Sequence, residues 1–84
     1  MELLTLLDAN LGVAISKSAA AIGAAVTALA AAYGIGMIGK SANESAARQP
    51  EVSGDIRTNM ILTAAFVEGV SLFAIVVCLL IAIA

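Results

Sequence analysis

The chain has 84 residues, of which 62% are hydrophobic and 12% charged, against about 45–50% apolar and about 25% charged in soluble domains. A domain this small buries only about 60% of its unfolded surface, so the remaining apolar area must be covered from outside, by a lipid bilayer, by identical copies or by both. A net charge of -2 without any basic cluster excludes nucleic acid as a partner, and zero His with one Cys removes the usual zinc, haem and Ser-His or Cys-His chemistries, so neither a metal nor a cofactor is expected.

The chain opens with Glu2, Asp8 and Lys17 as its only charges before a long apolar run. Ala28-Leu29-Ala30 has the small-x-small form of a signal-peptidase site. However, acids stand where a signal peptide carries positive charge, and the apolar run continues well past the site. Transit peptides are rich in Arg and poor in acids, which this start is not. The segment is therefore expected to be retained, and a bacterial inner membrane is the expected location.

Ser18 to Gly39 is 22 residues without a charge, which as a helix would span about 33 Å and so cross a bilayer. A β-barrel strand is excluded because apolar and polar residues do not alternate and Ala is a poor strand former. Projected at helical spacing, Ser16, Ala20, Gly23, Ala24, Thr27, Ala31 and Gly34 share one nearly bulk-free side, with Ile22, Val26, Leu29, Tyr33 and Met37 roughly opposite. Spans associate in lipid through close approach over small residues. Nine alanines between Ala19 and Ala32 are more than one partner helix needs, and they predict a helix crowded by neighbours as on the inside of a tight ring. Ala20, Gly23, Ala24, Thr27, Ala31 and Gly34 are the expected ring-packing positions.

Six of the ten charges follow in one polar stretch: Lys40, Glu44, Arg48, Glu51, Asp55 and Arg57. Pro50 and Gly54 are its strong breakers, and Gln49 is biased out of helix by the proline after it. The polar loop is expected at about 47–54, between a first helix over about 11–46 and a second over about 55–83. The predicted fold is thus an all-α membrane protein, one two-helix transmembrane hairpin. Three of the four basic residues lie on the loop side, so the loop is expected in the cytoplasm and both termini outside.

Thr58 to Ala84 carries a single charge, Glu68, and becomes bulky from Leu72 onward, which suits contact with lipid. Cys78, set among Val77 and Leu79, reads as an inert thiol. Glu68 lies 11 residues beyond Arg57, about 16 Å along a helix and so near the middle of a roughly 30 Å hydrocarbon layer. An acid at a helix centre costs about 2.5 to 3.5 kcal/mol to insert, so its carboxyl is expected to be protonated when it faces lipid. It would release the proton only on meeting water or an opposite charge, which makes it a one-proton carrier between two environments.

Taken together, the run Gly34-Ile35-Gly36-Met37-Ile38-Gly39, the loop Ala46-Ala47-Arg48-Gln49-Pro50, and Glu68 set 20 residues after Arg48 resemble the c-subunit (proteolipid) family of F-type ATP synthases over essentially the whole chain. The resemblance implies hairpins assembled into a homo-oligomeric ring, first helices inside. It implies a non-catalytic rotor subunit in which Glu68 takes a proton from one half-channel of the stator's a subunit and releases it beside a stator arginine. The implied partners are identical subunits, the a subunit, and central-stalk subunits touching Arg48, Gln49 and Pro50. Ala31 matches the small position beside the carboxylate, and Ile35, Phe66 and Gly69 are the other expected flanking positions. Sodium-carrying members of the family have a glutamine and a hydroxyl where this chain has Ile35 and Gly69; separately, Phe73 stands where some members of the family have a tyrosine, so the hydroxyl that could pair with Glu68 is missing. Protons are therefore favoured over a sodium-coupled version of the same rotor. A non-rotary pore-forming hairpin is the other alternative; it would account for the small residues but not for a lone acid at mid-bilayer.

Overall fold

A computed structural model describes residues 1–84 as two helices joined by one tight turn. Helix α1 runs Glu2–Arg48, a single 3₁₀ turn occupies Pro50–Val52, and helix α2 runs Ser53–Ile83. The helices fold back on each other into a rod of 73 × 16 × 9 Å. Both helices are long and apolar enough to cross a membrane.

Helix α1 starts at Glu2, well before the expected residue 11. Charges by themselves do not end a helix. Leu3 to Leu11 are mostly strong helix formers with no proline, and Glu2 in the first turn suits the positive end of the helix dipole. At the other end Gln49 leaves the helical region, with φ -132° and ψ 66°, because the ring of Pro50 clashes with a helical residue before it. Pro50 opens the 3₁₀ turn, where its fixed φ suits a first position. The turn is shorter than the predicted 47–54. Gly54, expected to break the chain, lies in the first turn of α2 without a positive φ.

Only Ala20 and Ala31 are buried. A hairpin of two helices has one seam and no core, so nearly all of its large apolar side chains point outward. That seam is made by small residues. A Cβ added at Gly23 would stand 3.3 Å from Cys78 Sγ, and one at Gly34 would stand 3.8 Å from Val67 Cγ1. The Thr27 hydroxyl donates to Gly23 O at 2.8 Å, so the one hydroxyl in this part of the seam is satisfied on its own helix and leaves nothing polar for lipid to solvate.

Close approach at Gly23 predicts a specific compensation. Gly23→Val should lower the thermal stability of the hairpin in detergent, followed by circular dichroism, because two methyls would be forced against Cys78. Adding Cys78→Ala should restore most of the loss; equal loss with and without that change would show that Cys78 is not the obstacle.

Candidate functional site

Glu68 stands midway along α2 and is exposed, turned out of the seam, while its neighbours Val67 and Gly69 are half-buried. It lies on the edge of an open groove between the helices. Ala28, Ala31, Ala32 and Ile35 of α1 form one wall, and Glu68, Gly69, Ser71, Leu72 and Ile75 of α2 form the other. A second groove towards the loop has Ile35, Gly39 and Ala64 among its lining residues and again includes Glu68. The carboxyl thus borders both grooves, with Ile35 as the α1 residue common to them.

The alanines set this geometry. Their lack of bulk lets α1 approach α2 closely at Ala31, and the remaining hollow is wide enough to leave the carboxyl uncovered within the hairpin. Side-chain hydrogen bonds run from threonine hydroxyls back to their own helix, and none reaches Glu68. An acid so placed has no polar anchor in its own chain apart from what can line its groove.

Of the expected flanking residues, Ala31, Ile35 and Gly69 join Glu68 in the groove. Phe66 does not. It lies on the other side of the hairpin with Ala30, Val67 and Val70, and is 73% exposed. Two residues along a helix turn through about 200°, so Phe66 and Glu68 cannot face the same way. Ser71, which the sequence pattern did not single out, lines the groove instead. The available signal was its position three residues after Glu68, which brings a hydroxyl to the same side of the helix.

The stripe Ala20, Gly23, Ala24, Thr27, Ala31 and Gly34 is buried or half-buried against α2 of the same chain. Within the hairpin, its small residues serve the intrachain seam. Arg48, Gln49 and Pro50 form the exposed tip: the last residue of α1, the break and the start of the turn. They project together from the end of the rod farthest from both termini.

The chain matches the family model for the ATP synthase C subunit over residues 18–81, which includes both grooves, the tip and Glu68. It is 61% identical over 69 residues to the ATP synthase c subunit of Bacteroides thetaiotaomicron, covering 82% of this chain and 81% of that protein. It is 55% identical over 80 residues to the ATP synthase c subunit of Phocaeicola vulgatus, covering 95% of each. Similarity extends to the ATP synthase c subunit of Enterococcus hirae, 42% identical over 66 residues, covering 79% of this chain and 93% of that protein. With two apolar helices folded as a hairpin and a family model matched over most of its length, the chain belongs to the c-subunit family of ATP synthases.

Proposed function

We propose that this chain is the proton-carrying subunit of a bacterial rotor ring, with Glu68 as the group that binds and releases the ion. Membership of the family selects a rotor subunit over a pore-forming hairpin. The observation that carries the assignment to Glu68 is its place: one carboxyl, midway along the second span, outside the seam and open at the side of the hairpin. An acid held inside the seam could not exchange its ion with anything. At the side of the hairpin it can meet the next copy, lipid or a stator in turn.

The cycle follows from desolvation. Facing hydrocarbon, the carboxyl keeps its proton because an isolated carboxylate there is strongly disfavoured. Beside a stator arginine and water the charged form is favoured and the proton leaves. When copies stand side by side, the Phe66 side of one hairpin faces the Glu68 side of the next, so an aromatic ring of a neighbour can close over the site. In this reading the exposed tip at Arg48, Gln49 and Pro50 meets the central stalk in the cytoplasm, and both termini lie on the far side of the inner membrane.

The groove favours a proton over sodium. A hard cation takes several oxygen ligands, whereas Ile35 and Gly69 offer no side-chain oxygen and Ser71 is the one hydroxyl lining the groove beside Glu68. A hydrophobic carbodiimide reacts with a protonated carboxyl, so it reports which ion is bound. Labelling of purified membranes should occur at Glu68, fall as pH rises, and be unaffected by excess sodium at neutral pH. Protection by sodium would overturn the proton assignment, and labelling elsewhere would overturn the role of Glu68.

A further inference from the structure

The threonines of this chain settle their hydroxyls on their own helix. Thr27 donates to Gly23 O at 2.8 Å, Thr58 to Gly54 O at 3.0 Å and Thr63 to Asn59 O at 2.7 Å, so none of them leaves a polar hydrogen for hydrocarbon to meet. The serines make no such bond. Ser16, Ser18, Ser41, Ser45 and Ser53 lie near a span end or in the polar stretch, where water is at hand. Ser71 is the exception: it stands near the middle of α2, half-buried, with its hydroxyl unpaired within the hairpin.

The groove that holds Glu68 and the groove beside Phe66 share two residues, Ala31 and Ser71, so these small side chains stand at the partition between the two sides of the hairpin. Ser71 follows Glu68 by three residues, which puts the pair on adjacent turns of one side of the helix. Helical side chains lean back towards the N-terminus of their helix, which carries the Ser71 oxygen over the turn that holds Glu68. Every other residue lining that groove is Gly, Ala, Ile or Leu, and the second groove that Glu68 borders adds only Gly, Ala, Ile and Met. Glu68 is therefore the one titratable group in either groove; the Tyr33 phenol and the Cys78 thiol line neither.

We propose that Ser71 is a positioning residue of the ion site, its hydroxyl being the hydrogen-bond partner of the Glu68 carboxyl in the same chain, directly or across one water; this rests on the proton-carrying reading of Glu68 above. A hydroxyl serves both states of the carboxyl by turning about one bond. When Glu68 is protonated, its O–H donates to Ser71 Oγ, which gives the neutral acid a partner in hydrocarbon. When the proton has left for the stator side, the Ser71 O–H donates to the carboxylate. The second bond is charge-assisted and the stronger of the two, so on balance Ser71 favours release.

Carbodiimide labelling of purified membranes across a pH series tests this, read as the pH at which labelling of Glu68 is half lost. Ser71→Ala should move that midpoint up by about half to one pH unit, because the carboxylate loses more than the neutral acid does. Thr63→Ala takes a hydroxyl from the same helix that is already bonded to Asn59 O and lines neither groove of Glu68, and it should leave the midpoint where it is. Both variants should give rings of parent mass that dissociate at the parent temperature, since alanine fits wherever serine does. A midpoint unmoved or lowered by Ser71→Ala would overturn the proposal. An equal rise in both variants would mean a general loosening of α2, and a ring that falls apart in Ser71→Ala would mean a packing role; either would also overturn it. Failure of Glu68 to label in the parent chain is a separate result, and it would remove the reading on which the proposal stands.

Discussion

Glu68→Gln is expected to abolish ATP synthesis driven by a proton gradient while leaving the ring assembled. Glutamine keeps the shape and a hydrogen-bonding head but neither binds nor releases a proton at any accessible pH. The transmembrane potential acts on a moving charge with about 2.3 kcal/mol per elementary charge per 100 mV; on a neutral amide it has nothing to act on, so the bias on rotation vanishes and the residual rate should fall to background. Assembly should survive because Glu68 is exposed in the hairpin and takes no part in the α1–α2 seam. Glu68→Asp, one methylene shorter, keeps the titrating group and should retain part of the activity, which separates the need for a proton from the need for a particular reach. Synthesis in membrane vesicles, normalised to ring content by mass, reads both variants. Normal synthesis by Glu68→Gln would remove this carboxyl from the mechanism.

That residue was legible in the sequence because its signal is an exception to composition. A single acid in a span of hydrocarbon-like residues is costly wherever it points, so its position alone marks it. The two spans were legible for the complementary reason: charges had been kept out of them. The boundaries were less so. Glu2 and Asp8 lie before the expected helix start at about residue 11, but helix formation is a backbone matter, and nothing between Leu3 and Leu11 opposes it. Gly54 suggested a break that Pro50 had already made one turn earlier, and glycine tolerates a helical first turn at small cost. The surroundings of Glu68 depended on bearing as much as on proximity in sequence. Phe66 is nearer along the chain than Ser71, yet the turn of the helix carries Phe66 away from the groove and brings Ser71 into it. Nor could the small-residue side of α1 announce its partner, since alanine and glycine permit close approach by any helix; the hairpin turn delivers α2 to it first.

Ala31→Leu should be the most damaging substitution outside Glu68, because Ala31 belongs to both the seam and the groove. It is one of two buried residues, 9% exposed, and it lines the hollow beside the carboxyl. Three added carbons have no void to enter on the seam side, and overpacking of this kind costs about 1–3 kcal/mol. A hairpin with so little buried surface has few other contacts to absorb that. If α1 yields by moving outward, the groove widens and whatever closes over Glu68 no longer fits; if the leucine turns into the groove, it occupies the space in which the carboxyl must move. Either route links a packing fault to the ion site. The expected result is a lower yield of intact ring, together with a loss of proton pumping per ring greater than the loss of yield. Ala24→Leu, on the same seam but not among the residues lining the groove at Glu68, serves as the comparison. It should reduce ring yield while leaving the rings that form nearly as active as the parent. Ring mass gives the yield and ATP-driven acidification of vesicles gives the activity; equal activity per ring in Ala31→Leu and Ala24→Leu would show that the space beside Glu68 is not used during transport.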